Sequence, residues 1–422
     1  MWDEPPSDEL LTEAGESVRL TLRLSASCQT SSTHQLLALA TANMLLRLPF
    51  ETSFAIPHKT FSAPPPPYEG STLESAIQNL GEKLHAPIQI SAPPHNGGVS
   101  LVVDDGADSF EFAIEGTSWT AMLRSRPFSG EEPGNALSLY AAAAMATAES
   151  VRAWARSAAR RQAPAGEQFM RATRPVFDAT INLWRPGTSR RGPGLQNLHM
   201  PHIDWVGGGA VTQAALCILA AIPGLELAGR IFDPKDIDEP DLNRSILSFV
   251  TSVGSPKPEI IRAALPELSE LQAINDPFPA EEGEPSPWIV CGADDVSIRA
   301  TCQALWPSNL VVVATEGHFG QVSRHTLEDD HLCGGCFTEA ATPEGPASTI
   351  VSTSVMSGVV GAALLARLAI GDTPPARTDI LTMRLDSALA VSEVAPKPNP
   401  DCKICQGKTN GSPGNGKRMA SR

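Results

Sequence analysis

"WVGGGAVTQAALCILAAIPGLELAGRIFDPKDIDEPDLNRS", residues 205–245, decides the fold class of this chain. A short apolar run ends in Gly207, Gly208 and Gly209; an apolar helical stretch follows, then "GRIF" closing on Asp233, then acids leading to Asn243 and Arg244. Glycines directly after a strand let the backbone turn sharply and approach a phosphate, whose charge the N-terminus of the next helix favours. Asp233 stands 24 residues beyond Gly209, where an acid would accept the hydroxyls of a ribose. Read as G-x-G-x-x-G the fingerprint is broken, because Thr212 occupies the third glycine position. Taken alone, the stretch leaves a redox Rossmann pocket open, and glycine turns beside strands also occur without any nucleotide.

The residues that follow narrow the chemistry. Arg244 lies 11 residues after Asp233, Lys257 lies 13 after Arg244, and Asp294 ends a third apolar run in "IVCGADDVSIR". A hydride-transfer enzyme has no need of an Arg and a Lys converging on phosphates. An enzyme that cleaves between the α and β phosphates does, because charge builds on the departing pyrophosphate and fixed cations offset it. An Asp at a neighbouring strand end can hold the Mg2+ that bridges those oxygens. The combination predicts an adenylation site using ATP.

Around this core the second half alternates strands and helices: "HIDWVGGG", a helix from about residue 210, "GRIFDP", a helix around 258–265, "PWIVCGADD", a helix over 296–305, and "NLVVVAT". The alternation predicts an α/β fold: a Rossmann-like, mostly parallel sheet with helices on both faces and ligands at the strands' carboxyl ends. Before it, "HQLLALATANMLLRL" (34–48) is apolar at helical spacing, "FSAPPPPYEG" interrupts the chain with four prolines, "GVSLVVDD" (98–105) reads as a buried strand, and 135–161 reads as an alanine-rich helix. The Gly-, Pro- and Arg-rich segment 185–202 reads as a linker or surface loop. The boundaries expected are 1–195, 196–406, and a tail at 407–422 with no apolar periodicity.

Together "GGGAVTQ", "FDPKDIDEPDLNRS", "VGSPK", "CGADDVSIR" and "GHFGQV" resemble the adenylation domain of the ThiF/MoeB superfamily, which includes the ubiquitin-activating enzymes. The resemblance covers roughly residues 200–406 and keeps order throughout. It implies that Gly207, Gly208, Gly209, Asp233 and Asn243 hold the nucleotide, that Arg244 and Lys257 bind its phosphates, and that Asp294 coordinates magnesium. Arg299 matches the arginine after the magnesium site, and Gly320-Gln321 the family's Gly-Gln turn. The family's usual "NLNRQ" is here Asp241-Leu242-Asn243-Arg244-Ser245. The strands and small-residue helix before residue 190 look like the end of a degenerate adenylation domain, which implies a pseudo-dimer within one chain; simpler relatives form homodimers. An unrelated α/β domain that binds the protein substrate is the alternative.

Eight cysteines in a long chain without a secretory start point to metal or catalysis before disulfides. Cys333/Cys336 and Cys402/Cys405 form two C-x-x-C knuckles 65 residues apart, a spacing that predicts a four-sulfur structural Zn2+ site. Four protein ligands leave no open position, so this zinc is not catalytic. Many superfamily members carry a thioester-forming cysteine in the crossover before an apolar helix; here the position falls near Ile350 and holds none. Cys217, Cys291 and Cys302 fall within elements and read as packing residues, which leaves Cys28 as the exposed-looking candidate.

At 42% hydrophobic and 19% charged residues, the 422-residue chain reads as globular. Its net charge of −15 argues against a broad nucleic-acid surface. No run reads as apolar enough for a membrane span, and the acidic start "MWDEPPSDEL" predicts a cytoplasmic protein. The function expected is ATP-dependent adenylation of the C-terminal carboxylate of a ubiquitin-like protein, with handover to a conjugating enzyme. By resemblance alone this suggests a bacterial ubiquitin-like conjugation system, of a kind used in antiviral defence. Sulfur-carrier activation, an NAD-dependent redox enzyme and a non-catalytic scaffold are the alternatives.

Overall fold

The computed structural model describes residues 15–16, 18–24, 31–56, 67–91, 98–125, 134–161, 175–176, 178–280, 283–326, 333–334, 349–372, 380–385 and 389–394. They form two sheets with a layer of helices between them. In the first half lie β1 (Arg19–Leu24), α1 (Ser32–Leu45), β2 (Glu51–Ala55), α2 (Leu73–Leu84), β3 (Gln89–Ser91), β4 (Val99–Asp104), β5 (Ser109–Thr117), β6 (Thr120–Arg124), α3 (Ala136–Arg161) and β7 (Ala179–Asn182). In the second lie β8 (Ile203–Val206), α4 (Ala210–Ala220), β9 (Gly229–Phe232), α5 (Lys257–Ala264), β10 (Leu271–Ile274), β11 (Trp288–Cys291), α6 (Val296–Ala304), β12 (Asn309–Glu316), β13 (Phe319–His325), α7 (Val351–Ala369), β14 (Ile380–Arg384) and β15 (Ala390–Val394).

The second sheet runs β10-β9-β8-β11-β12-β13-β14-β15. From β10 to β12 its strands are parallel, and β13 to β15 add an antiparallel edge. The side-chain alternation of β11 shows why helices cover both faces: Val290 enters the large core, whereas Ile289 and Cys291 enter a second cluster with Cys302 and Ile298 of α6. Residues from α4, α5 and α7 fill the large core on the other face. This is a Rossmann-like α/β arrangement, with the strand order reversing between β8 and β11, where a crevice opens at the strand ends.

The first sheet runs β3-β2-β1-β4-β5-β6-β7. Only its first three strands are parallel; β4 turns antiparallel to β1, β4 to β6 form a meander, and β7 adds antiparallel to β6 after α3. β4 alternates buried and half-buried residues, in keeping with one face on the core.

α3, α4 and α7 carry small residues where they meet. A Cβ placed on Gly358 of α7 would stand 2.6 Å from the Cβ of Ala214 and 2.8 Å from the Ala215 nitrogen on α4. The two halves share polar contacts as well. Tyr140 and Cys217 lie 3.3 Å apart through oxygen and sulfur, Asn43 Nδ2 donates to the Ile246 carbonyl at 3.0 Å, and Arg185 Nη1 donates to Asp372 Oδ2 at 2.7 Å. A single cluster of buried apolar side chains runs through both.

One sequence expectation is narrowed and one needs correction. Segment 185–202 is, of the two readings, a surface loop anchored to the protein: it holds no helix or strand and is largely exposed, but Trp119 donates to the Pro193 carbonyl at 2.7 Å, and Leu195, Leu198 and Met200 are buried. α7 is long and apolar enough to cross a membrane, yet 94% of its most apolar window is buried inside the protein. Its hydropathy comes from serving as the central core helix, a position apolar on every side.

Candidate active site

The cavity at the carboxyl ends of β8, β9, β11 and β12 has a volume of about 300 Å³, the lower end of the range for small-molecule pockets. Gly207 ends the β8 turn at φ +92°, and its nitrogen donates to the Phe232 carbonyl at 2.8 Å. A side chain there would strike the backbone nitrogen of Ala293 at 2.9 Å, so only glycine lets the β8 and β11 turns pack together. Gly208 is closed in by the Lys257 side chain, whose Cβ would be 3.0 Å from an added Cβ. Gly209 caps α4 with no side-chain bond of its own, and a Cβ on it would meet nothing within 4 Å.

Asp233 is buried, with its Oδ2 accepting from the Gly208 N–H at 2.7 Å and its Oδ1 from the Lys235 N–H at 2.9 Å. These bonds fix the carboxylate at the cavity wall while each oxygen keeps a further lone pair for a ribose hydroxyl. Phe278 packs edge-on against Phe232 at 5.2 Å between ring centres, and both line the cavity beside Pro277.

The loop from Asp233 to α5 gathers the charges. Asp241, in the 3-10 turn Glu239–Asn243, holds Lys257 Nζ at 2.9 Å through one oxygen and Arg244 Nη2 at 3.2 Å through the other. Burial alone would push the Asp241 carboxyl up. The hydrogen bond and charge of Lys257, the Asp238 N–H and Arg244 outweigh it and hold the group below the usual carboxylate value. At the β11 end, Asp294 is exposed and lines the cavity, and Asp295 caps α6 through the Ser297 N–H at 2.7 Å. Arg299 Nε donates to the Ala293 carbonyl at 2.8 Å, which pins that turn.

Gly207, Gly209, Asp233, Arg244, Lys257, Asp294 and Arg299 therefore converge on one cavity. Gly208 contributes from behind through Asp233, while Asn243 is exposed and lies outside the lining. Gly320 packs under Ser357 and Met383 on β13, away from the cavity wall. Asp241 stands in the sequence as a departure from the family motif, although its three-residue spacing to Arg244 is the signal for a pair. Lys235, Thr315, Thr349 and Ser354, which no motif marks, also line the cavity. From the first half, Arg47 reaches the same loop and donates to the Leu242 carbonyl without lining the cavity; burial pushes it down to about 9.

Of the zinc cysteines, Cys333 is buried; Cys336, Cys402 and Cys405 fall outside the described residues, as does Cys28. Among the described residues, no three or more His, Cys, Asp or Glu side chains are grouped to hold a metal. Cys217 is a core thiol that burial pushes up to about 12, so it stays protonated and unreactive.

No family model matches the chain, and no curated protein matches it either. Solved structures with a similar arrangement include E. coli MccB with AMPCPP and MccA, at 14% identity and TM-score 0.41 over 70% of this chain and 97% of that one. E. coli MccB with ATP gives 13% identity and TM-score 0.41 over the same shares, 70% and 97%. PaaA gives 15% identity and TM-score 0.36 over 48% of this chain. In PaaA and in the succinimide-bound MccB structure the chain spans 66% of the neighbour, just under two thirds of its length.

Proposed function

We propose that this chain is an ATP-dependent adenylyltransferase that activates a carboxylate of a peptide or protein substrate and releases pyrophosphate. The observation that carries the proposal is the convergence of Lys257 and Arg244, held on one buried carboxylate, with Asp233 and Asp294 in a single cavity. A redox pocket needs Asp233 and the glycine turn but has no use for the cation pair.

In this reading Asp233 accepts the ribose hydroxyls, and Phe278 with Pro277 flanks the base. A carboxylate oxygen of the substrate attacks the α phosphorus. The bond from that phosphorus to the bridging oxygen breaks, and its electron pair leaves on pyrophosphate. Lys257 and Arg244 turn partly from Asp241 toward the departing oxygens and offset the growing charge. Asp241 meanwhile keeps both cations at the wall when the cavity holds no phosphate, since each would otherwise swing into solvent. Asp294 fits a Mg2+ site of the sparse kind that takes one or two carboxylates plus phosphate oxygens; bound there, the metal would add Lewis-acid stabilisation of the leaving group.

The finer reading is that the substrate is a ubiquitin-like protein whose activated end passes to a conjugating enzyme, or a sulfur carrier of biosynthesis. The domain layout supports it: a second α/β half with the same leading strand order is fused to the nucleotide half. Exchange of labelled pyrophosphate into ATP, with candidate carriers added, tests the reaction. Exchange that needs a carrier and disappears in Asp294→Ala is expected. NAD binding without ATP binding would overturn the reading, and ATP binding without exchange on any carrier would favour a scaffold.

The four-cysteine zinc site belongs to the same proposal. Metal analysis of the full chain should find one zinc per protein, lost in Cys402→Ser; zinc-free protein of unchanged stability would refute it.

A further inference from the structure

The cavity has a second pole, chemically unlike the first. α7 begins against it without a capping side chain: its N-cap is Ile350, and its first turn holds no acid. The first turn of a helix leaves its N–H groups without partners inside the helix and carries partial positive charge. Around this end Thr349 Oγ1, Ser352 Oγ, Thr353 Oγ1 and Ser354 Oγ are all buried without a hydrogen-bond partner among the described residues. Ser352, Thr353 and Ser354 are each 0% exposed. Thr349 and Ser354 line the cavity itself. Native interiors rarely leave hydroxyls unpaired, and such groups commonly mark a place where a ligand completes the bonds.

The position of this pole fixes what it faces. Asp233 follows β9, and Thr315 lies near the end of β12, with β8 and β11 between them. Three strand spacings separate the two, roughly 14 Å. α5, which brings Lys257, packs on the β10 side, whereas Thr349 bridges to Gly317 at the tip of β12. The wall at this end, Val313, Ala314, Thr315, Thr349 and Ser354, contains no charged side chain.

We propose that the N-terminal turn of α7, with the hydroxyls of Thr349 and Ser354, is the subsite for the terminal carboxylate of the substrate polypeptide. The inference rests on the adenylation reading and names which wall receives the attacking group. A triphosphate, with several charges, is drawn to the lysine and arginine. A carboxylate that must attack phosphorus is served better by neutral donors: hydroxyls and helix N–H groups orient it, whereas a tightly paired guanidinium would neutralise the lone pairs it attacks with. The two poles thus sort two anions by charge, and the α phosphorus lies between them. After the bond forms, the same donors face the carbonyl oxygen of the acyl adenylate.

The test uses the full chain and two probes. Glycylglycine, the smallest peptide carboxylate, is followed by saturation-transfer NMR against glycylglycinamide, and a fluorescent ATP analogue is titrated separately. The parent should bind glycylglycine and not its amide. Ser354→Ala and Thr349→Val should each weaken the dipeptide at least tenfold while changing nucleotide affinity less than twofold, and Thr349→Ser, which keeps the donor, should bind like the parent. Equal dipeptide binding by parent and variants would overturn the proposal, as would a parent that does not discriminate acid from amide. Loss of nucleotide binding in Ser354→Ala, with inorganic phosphate displacing the dipeptide, would make this pole a phosphate site and also overturn it. A parent that binds glycylglycine but no ATP would sink the adenylation reading and leave the carboxylate subsite standing.

Discussion

From its parallel edge the first sheet runs β3-β2-β1-β4, and the second runs β10-β9-β8-β11; the two halves set out alike and diverge at the strand ends. After β8 come three glycines and the capless start of α4; before α1 stands Ser31, whose side chain accepts from the His34 N–H and fills the place an anion would take. After β9 stands Asp233 with lone pairs facing the cavity; after β2 stands the buried Ile56. After β11 Asp294 lies open at the cavity; β4 runs antiparallel to β1, so Asp105 after it stands at the opposite end of its sheet, buried and taken up by Arg156 at 3.1 Å and Arg160 at 2.6 Å. One framework therefore carries either a site or a brace. What separates them is whether the strand-end groups bond to the protein or are left for a ligand.

Removing a charge on each side should separate the roles most sharply. Lys257→Ala should lower pyrophosphate exchange by roughly 10²–10³-fold with a small change in stability. Exchange near the parent rate would mean that the cation pair is a brace too. Asp105→Asn should do the reverse: unfolding in urea should show a loss of about 3 kcal/mol, because two arginines lose a buried partner, with nucleotide affinity retained. The pH dependence follows. Burial raises the Asp105 carboxyl, but the Asp108 N–H, Arg160 and Arg156 more than offset that and hold it below its usual value. Its stabilising share is therefore full above the unfolded value of about 4 and fades as pH falls through the lower folded value. The parent should lose stability more steeply than Asp105→Asn on titration below pH ~4.

Smaller effects probe the glycine turn. Gly207→Ala forces a Cβ onto a φ of +92° and against Ala293; a cost of at least about 1–2 kcal/mol and a weaker nucleotide complex are expected from thermal melts with and without ATP. Thr212 is the mildest case. Its buried Oγ1 has no hydrogen-bond partner among the described residues and faces Gly292, where an added Cβ would stand 2.6 Å away. Thr212→Val should stabilise the fold by about 1 kcal/mol and leave exchange unchanged. A loss of exchange would show that the hydroxyl serves the site.

The sequence made the second sheet readable because its apolar runs are short, parallel in character and separated by helical periods. The charged residues of the site were legible as well, because Asp233 and Asp294 follow strands and Arg244 and Lys257 stand in the turn and helix start that lead on from Asp233. Asp241 was not, since a buried carboxylate joining two cations is a tertiary fact; the primary structure shows only one more acid in "DIDEPD". Thr349 and Ser354 were hidden differently. In "STIVSTSVMSG" the hydroxyls look like ordinary small residues of a packed helix, and only the cavity shows which of them face it. Asn243 shows a different limit: the motif position keeps its residue type, and only the structure shows that it stands exposed at the end of the 3-10 turn, outside the cavity lining. The antiparallel turn of β4 was equally invisible, because a buried strand reads the same in either direction.

The helix layer of α3, α4 and α7 has a consequence for how the chain holds together. Each half supplies the other's oily wall, so neither can be lifted out as a module: cutting at 185–202 would bare the flanks of α4 and α7 to water. Heating or urea should melt both sheets in one cooperative step. The half whose charged groups are taken up as braces thereby has a task of its own, as the permanent support of its neighbour's cavity.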